Sequence, residues 1–174
     1  MMMPATEAEV ARPAASRADS LRSCLGRFAT GVTVVTFRGP SGPHGITVNS
    51  FTAVSLEPPL VLVSVARTTR SHDQLRGRHF CVNVLAAEQE AVARQFAGSG
   101  HGPAMWLDQG PIPSLAGVLA HVACRPWRDY EAGDHTLFIG EVVEFRYRDG
   151  DALGFHTSRF TTIPDAQLGV EHLI

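Results

Sequence analysis

Residues 32–66 read VTVVTFRGPSGPHGITVNSFTAVSLEPPLVLVSVA, and this stretch decides the fold. The β-branched residues 32–37 and the extended pattern of residues 46–54 flank a Gly/Pro-rich segment, residues 39–45, which is typical of a hairpin connection. Residues 60–66 are almost continuously apolar and predict a third strand that is buried on both faces. The stretch therefore predicts strands that pair as antiparallel neighbours.

Short helices are predicted around these strands. The first begins near Asp19 or Ser20, where apolar residues start to recur at helical spacing. Ser71 and Gln74 have the spacing of a capping box and predict a second helix. Residues 88–96 are strong helix formers and predict a third.

Further strands are predicted at residues 79–85, 118–124 and 136–147. The Gly/Pro-rich residues 98–113 read as a long loop that covers a site or a neighbouring subunit. Several strands at hairpin spacing, few helices and no β-α-β alternation favour an antiparallel β-barrel with peripheral helices over a doubly wound fold. The sequence thus predicts a mainly β protein.

The composition is that of an ordinary globular domain. The chain has 174 residues, 44% of them hydrophobic, with 15 basic and 17 acidic side chains. We therefore expect a single domain at residues 17–174. Residues 1–16 include Pro4 and Pro13 and lack the basic start and apolar centre of an export signal, so a disordered leader is predicted there.

Several classes of function are excluded by charge and residue type. All basic residues are Arg, which excludes Schiff-base chemistry and a lysine-containing phosphate-binding loop. A net charge of −2 argues against a nucleic acid partner, and the lack of an apolar run of ~18 residues argues against a membrane protein. The odd number of cysteines, Cys24, Cys81 and Cys124, fits buried reduced thiols and predicts a cytoplasmic location.

Well-known catalytic motifs are missing from the sequence. The eight His residues form no H-x-x-x-H or H-E-x-x-H pair, and none lies at zinc-ligand spacing from a Cys, so no metal site is predicted. The nucleophile motif G-x-S-x-G is also missing. Gly98-Ser99-Gly100 begins like a dinucleotide fingerprint, but Pro103 replaces its last glycine and the segment follows a helix.

One candidate binding segment leaves a buried strand and begins a helix: Ala66-Arg67-Thr68-Thr69-Arg70-Ser71. Free N–H groups at a helix N-terminus attract anions, and the planar fork of Arg matches phosphate oxygens. The segment therefore suits a phosphate group. An ordinary helix cap with two solvated arginines accounts for the same residues equally well.

A second candidate is a run of small polar residues within an apolar strand: Thr47-Val48-Asn49-Ser50-Phe51-Thr52. Its Thr, Asn and Ser groups could bind the heteroatom edge of a flat ring, with Val48 and Phe51 as apolar walls. A strand that alternates between core and solvent is the competing interpretation, and the residues alone slightly favour it.

A third candidate precedes the last long predicted strand, at Gly133-Asp134-His135-Thr136. His135 suits a contact with a substrate, but a turn followed by an exposed His is also a common start of a hairpin. The residues alone therefore predict a barrel with a candidate phosphate site and a candidate ring-binding strand, and they do not name the ligand.

Together these motifs resemble the short flavin reductases, the reductase components of two-component flavin-dependent monooxygenases. The similarity covers about residues 21–160 and includes FATGV at 28–32, the segment 44–65, SHD at 71–73 and GDHTLFIGEVVE at 133–144. It implies an FMN-binding split barrel and a homodimer that holds flavin in a groove near the subunit interface. It also implies that NADH or NADPH reduces FMN or FAD, and that the reduced flavin passes to a separate monooxygenase.

The resemblance assigns roles to individual residues. The isoalloxazine ring and ribityl chain would contact Thr47, Val48, Asn49 and Ser50, and the phosphate would contact Ala66, Arg67, Thr68 and Ser71. The flavin tail would lie near Phe96 and Ala97. The nicotinamide cofactor would contact His135, which positions it for the reaction, together with Arg159 and Phe160. Ser158 and Phe160 depart from the family pattern, which has Gly and Tyr at these positions.

Two alternatives use the same fold differently. A relative of the pyridoxamine-phosphate oxidases would hold its flavin permanently, and the GDH segment at residues 133–135 argues against this. A flavin-binding electron carrier or redox sensor would keep the fold without turnover. In a reductase, hydride passes directly from the nicotinamide to the flavin, so the task of the protein is to position two rings.

Overall fold

The computed structural model describes residues 16–99, 102, 104–107 and 110–165, which form a mainly β structure with three short α-helices. The helices are α1 (Arg17–Leu25), α2 (Arg70–Leu75) and α3 (Glu90–Arg94). The strands are β1 (Thr30–Gly31), β2 (Thr33–Gly39), β3 (Gly42–Val48), β4 (Thr52–Leu56), β5 (Pro59–Ala66), β6 (Phe80–Val84), β7 (Trp106–Leu107), β8 (Ser114–Leu115), β9 (Ala120–Ala132), β10 (His135–Tyr147), β11 (Ala152–His156) and β12 (Arg159–Ile163).

A seven-stranded antiparallel sheet forms the body of the fold, in the order β3-β2-β6-β9-β10-β5-β4. This sheet is strongly curved, because β3 at one edge contacts β5, which is next to the opposite edge. Two small sheets, β1-β11-β12 and β7-β8, flank it. The prediction of an antiparallel barrel with peripheral helices is confirmed.

The curved sheet encloses an apolar core to which five of its strands and α2 contribute: Val35, Phe37, Val61, Val63, Val65, Leu75, Phe80, Val82, Cys124 and Phe138. Along β5 the side chains alternate, so that Val61, Val63 and Val65 are buried whereas Leu60 and Leu62 are only half-buried. The prediction that this strand is buried on both faces is therefore wrong, because its second face is incompletely covered.

The predicted hairpin is present, but its turn is shorter than the Gly/Pro-rich segment. β2 and β3 pair from Thr33 opposite Val48 to Gly39 opposite Gly42, and Gly42 has a φ of 116°, which favours glycine. The extended segment predicted at residues 46–54 is two strands instead of one. β3 ends at Val48 and β4 begins at Thr52, where the chain leaves β2 and pairs with β5.

The three helices lie where the sequence predicted them, but their boundaries and caps differ from the prediction. α1 begins earlier than expected, with Ser16 as its N-cap, whose hydroxyl accepts the amide of Asp19. The predicted capping box of α2 is wrong, since Thr69 occupies the N-cap and Ser71 lies inside the helix. The third helix is confirmed as a 3₁₀ turn, α3 and a π turn in which Gly98 has a φ of 90°.

The hairpin of β9 and β10 is much longer than the sequence predicted. β9 continues to Ala132, eight residues beyond the expected end at Cys124, and pairs with β10 along its whole length. Two β-bulges interrupt the pairing: Trp127 is the extra residue on β9, and Val143 is the extra residue on β10. The hairpin of β11 and β12 was also not expected, nor were the short strands β7, which lies within the predicted loop, and β8, which directly follows it.

The proposed boundary between leader and domain stays a prediction, because residues 1–15 lie outside the described part of the chain. Within residues 16–99, 102, 104–107 and 110–165, no helix has the length and apolar character needed to cross a bilayer. The same residues contain no group of three or more His, Cys, Asp or Glu side chains arranged to hold a metal ion.

The three cysteines differ in accessibility. Burial raises the pKa of Cys81 and of Cys124 to about 12, whereas Cys24 on α1 is exposed. The expectation of buried thiols is right for the first two and wrong for Cys24, because no side chain of α1 is buried.

We predict that a disulfide reagent such as DTNB modifies one thiol faster than the other two in the native protein at mildly alkaline pH, and all three rapidly after denaturation. Thiolates are the reactive form, and burial disfavours them at Cys81 and Cys124. The Cys24→Ser variant should lose the rapid phase. Rapid modification of two thiols in the native protein would contradict the prediction.

Candidate functional site

The crossover from β3 to β4 is anchored on both sides. Thr47 donates a hydrogen bond from its hydroxyl to the carbonyl of Ala93 in α3, at 2.7 Å. The hydroxyl of Ser50 donates to the carbonyl of Ser64 at 2.8 Å and accepts the amide of Ser64 at 3.0 Å. Asn49 lies between these anchors, and its exposed side chain has no hydrogen bond within the described chain. The crossover therefore presents the Asn49 amide to solvent.

The turn from β5 into α2 leaves two hydroxyls available. Thr69 closes the turn, since its amide (3.1 Å) and its hydroxyl (2.9 Å) both donate to the carbonyl of Ala66. Thr68 is exposed and Ser71 is half-buried, and neither hydroxyl has a hydrogen-bond partner among the residues described. Both hydroxyls can therefore donate to a ligand.

Two guanidinium groups lie on the same turn. The Nη1 atom of Arg67 is 4.0 Å from the Glu131 carboxylate, with side chains that are 50% and 66% exposed. At such exposure water screens most of the attraction, so this ion pair contributes little to stability. Arg70 is exposed and forms no ion pair with any described residue. Positive charge at this turn is therefore accessible from solvent.

His135 begins β10 directly opposite Ala66, the last residue of β5. Its Nδ1 is 2.7 Å from the Asp134 carboxylate, and because a carboxylate only accepts, Nδ1 is the donor. This hydrogen bond and the charge of His135 lower the pKa of Asp134. In the neutral imidazole Nε2 is then an acceptor, and the side chain is 41% exposed. In its neutral form His135 thus offers a hydrogen-bond acceptor to solvent.

These three predicted groups meet at the C-terminal end of β5. Ser50 is bonded to Ser64, two residues before Ala66, and His135 is opposite Ala66. The amide of Arg67 donates to the carbonyl of Asp134 at 2.9 Å, which joins the turn to the start of β10. An open polar depression beside the turn is lined by Arg67, His72, Asp73, Arg76 and Glu131.

Phe96 and Ala97 lie on the α3 side of β3. The Phe96 ring packs edge-on against Trp106 at 5.6 Å and covers Gly45, where a Cβ atom would come within 2.7 Å of the ring. Phe96 is therefore a half-buried wall whose position depends on a glycine in β3. Ala97 is exposed beside it.

Arg159 and Phe160 lie on β12, outside the large sheet. Phe160 packs edge-on against Phe155 at 5.3 Å and lies 5.0 Å beneath the guanidinium of Arg94. Arg159 is exposed. Within the described chain, no hydrogen bond, ion pair or ring contact connects either residue to His135. The structure therefore does not bring this pair to the end of β5.

Sequence reasoning missed a buried polar pair beneath the turn. The Nε2 atom of His72 is 2.8 Å from the hydroxyl of Thr136, and the two residues are 4% and 0% exposed. Helical spacing offered a signal, because His72 lies three residues before the buried Leu75 and therefore on the same face of α2.

Comparison with known proteins identifies the family. Residues 25–164 match the family described as flavin reductase like domain. The chain belongs to this flavin reductase family. The matched region contains all three groups that meet at the end of β5.

Individual flavin reductases are similar over most of the chain. FMN reductase (NADH) SmoA of Agrobacterium fabrum is 41% identical over 152 residues, which cover 85% of this chain and 87% of that protein. An NADH-dependent FAD reductase of Streptomyces globisporus is 43% identical over 161 residues, covering 86% and 88%.

Solved structures of flavin reductases agree with the fold. The Streptomyces globisporus NADH:FAD oxidoreductase in complex with NAD and FAD fragments is 40% identical, with a TM-score of 0.78 and coverage of 92% of this chain and 99% of that one. BorF, the flavin reductase component of a bacterial two-component tryptophan halogenase, is 41% identical, with a TM-score of 0.77 and coverage of 85% and 99%.

We predict that Ser50→Ala lowers the free energy of unfolding by about 1–3 kcal/mol, because it leaves the amide and carbonyl of Ser64 without their partner. Urea denaturation measures the change. Asn49→Ala is the matched control, since its exposed side chain makes no hydrogen bond within the described residues, and its urea midpoint should stay at the wild-type value. Equal midpoints for the two variants would show that the Ser50 anchor carries no stability.

Proposed function

We propose that the chain is an NADH-dependent flavin reductase that reduces FMN or FAD and releases the product to a separate flavin-dependent monooxygenase. The observation that carries this proposal is the meeting of accessible phosphate donors with the exposed acceptor of His135 at the end of β5. The FMN and FAD reductases among the relatives support the same activity. A cytoplasmic location accompanies the proposal, because thiols stay reduced in that compartment.

The turn between β5 and α2 fits the phosphate of a flavin nucleotide. The hydroxyls of Thr68 and Ser71 and the guanidinium of Arg70 have no partner within the described part of the chain, and Arg67 can add a charge-assisted hydrogen bond. The small side chain of Ala66 lets the backbone of the turn approach the phosphate closely. A dianionic group would gain several donors here without breaking a strong internal bond.

The crossover after β3 fits the polar edge of the isoalloxazine ring. Its free Asn49 amide can both donate and accept, whereas the hydroxyls of Thr47 and Ser50 are already used to hold the crossover in place. Val48 is packed against the core, so it supports the segment. We therefore assign direct ring binding to Asn49 and a positioning role to Thr47 and Ser50.

The role of His135 follows from its hydrogen bond to Asp134. In the neutral ring, with Nδ1 donating to Asp134, the exposed Nε2 accepts, which suits the carboxamide N–H₂ of a nicotinamide. The bound nucleotides supply the hydride chemistry, from nicotinamide C4 to flavin N5. The protein supplies orientation, which lowers the barrier by holding reacting atoms at near-attack distance. Arg159 and Phe160 remain candidates for the rest of the nucleotide.

We predict that the purified protein oxidises NADH rapidly only when free FMN or FAD is added. An exchangeable flavin is a substrate, so the rate should saturate with flavin concentration well above that of the protein. Steady-state assays with NADH, NADPH, FMN, FAD and riboflavin measure this. Stoichiometric flavin that never exchanges would favour an oxidase, and flavin binding without NADH oxidation would favour a carrier or sensor.

We predict that Arg67→Ala weakens the binding of FMN roughly 5- to 30-fold, since a charge-assisted hydrogen bond to phosphate contributes about 1–2 kcal/mol at a half-exposed site. The rate at saturating FMN should change little, because the phosphate is remote from the reacting ring. Riboflavin lacks the phosphate and should bind equally well to both proteins. Unchanged binding of FMN would mean that Arg70 or the hydroxyls of Thr68 and Ser71 contact the phosphate instead of Arg67.

We also propose that the chain forms a homodimer. α1 has no buried side chain and exposes Leu21 at 57% and Leu25 at 64%, and Phe28, three residues after the end of the helix, is 78% exposed. The helix is nevertheless attached to the fold, because the amide of Thr157 donates to the carbonyl of Gly26 at 2.9 Å. Apolar side chains on a fixed helix are typical of a surface that is covered by a partner subunit.

We predict a dimer mass by light scattering at micromolar concentration. Replacing Leu25 and Phe28 with Ser should shift the mass towards that of the monomer, because each change removes exposed apolar area from the proposed interface. The matched control is Ser23→Ala on the same helix, which should leave the mass unchanged. A wild-type monomer with full activity would contradict the proposal.

A further inference from the structure

His72 is a buried polar residue that the proposed function has not used. Its side chain lies between α2 and β10, only 4% exposed, with its ring edge-on to Phe138 at 5.5 Å. A buried imidazole is costly unless its nitrogens are bonded, and here both are. Nδ1 is 2.8 Å from the Asp73 carboxylate, and Nε2 is 2.8 Å from the Thr136 hydroxyl.

The direction of both hydrogen bonds follows from the acceptor at Asp73. Because the carboxylate only accepts, Nδ1 of His72 is protonated and donates to it. In the neutral ring Nε2 is then the acceptor, so the hydroxyl of Thr136 donates to His72. The hydroxyl of Thr136 therefore uses its proton in the hydrogen bond to His72.

His135 is held on both sides by the same unit of structure. On one side, the carbonyl of Asp134 accepts the amide of Arg67. On the other side, the hydroxyl of Thr136 donates to His72. Arg67 and His72 belong to the turn and helix that follow β5, so this unit fixes the backbone before and after His135.

Strand geometry makes the hydrogen bond between Thr136 and His72 important for the orientation of His135. Side chains alternate along β10, so that Thr136 is fully buried whereas His135 and Leu137 face the other side. A rotation of β10 about its axis would therefore turn the Thr136 and His135 side chains together. Anchoring Thr136 inward sets the angle at which His135 points outward.

We infer that His72 and Thr136 are positioning residues for the reductase reaction, which hold His135 towards the nicotinamide through the hydrogen bond between them. The inference rests on the proposed contact between His135 and the nicotinamide. It adds a pair of buried residues that touch neither nucleotide and act through His135.

A double-mutant cycle tests the inference with the full-length protein. Thr136→Val removes the donor while it keeps the shape of the side chain, and Thr136→Ser is the control that keeps the donor. Each is combined with His135→Ala, and the KM for NADH, the rate at saturating NADH, the FMN dissociation constant and the Tm are measured.

We expect Thr136→Val to raise the KM for NADH about threefold or more in the wild-type background and to leave it nearly unchanged in the His135→Ala background. The FMN constant should stay near wild type. Thr136→Ser should retain the wild-type KM. The Tm should fall by a similar amount in both backgrounds, because the lost buried hydrogen bond does not depend on His135.

A second pair of variants approaches the contact from its other partner. His72→Leu should reproduce the rise in KM, and His72→Gln should restore much of the wild-type value, since its side-chain oxygen can accept from Thr136. These variants keep the inference testable where Thr136→Val yields too little folded protein.

Three results would overturn the inference. An equal rise in KM in both backgrounds would mean that Thr136 does not act through His135. A lower Tm with a wild-type KM would make the pair purely structural. A wild-type KM in His135→Ala alone would remove both the proposed nicotinamide contact and the inference built on it, which separates that failure from the other two.

Discussion

Antiparallel pairing of β5 with β10 is the interaction on which the proposed site depends. Its register places His135 opposite Ala66, so the exposed histidine lies beside the turn that carries the phosphate donors. Ser64 on β5 forms two hydrogen bonds with the hydroxyl of Ser50, and these bring the crossover between β3 and β4 to the same end of β5. A slip of one residue would turn Thr136 outward and His135 inward, because side chains alternate along a strand. Register therefore decides which polar groups can meet.

The sequence predicted those features that local chemistry determines. β-branched runs and a Gly/Pro-rich connection gave the β2–β3 hairpin, and helix-forming residues before Gly98 gave α3. The three polar groups were also found, since hydroxyl, amide and guanidinium groups stand out in apolar surroundings. Their meeting at one end of β5 depends on the register between distant strands, and single residues do not specify it.

The errors have physical causes too. Residues 46–54 have one extended pattern, but the strand must break at Asn49 because β3 and β4 pair with different neighbours. The outer half of β9 was missed because its side chains are largely exposed and lack an apolar alternation. In each case long-range packing outweighed the local pattern.

The two bulges in the β9–β10 hairpin compensate for each other. Trp127 adds one residue to β9 and Val143 adds one to β10, so the register beyond the second bulge equals that before the first. Loss of one of these residues would leave the tip and the base of the hairpin out of step by one position. Evolutionary insertions and deletions here are therefore tolerated best in pairs, one on each strand. The two strands of this hairpin therefore constrain each other's length.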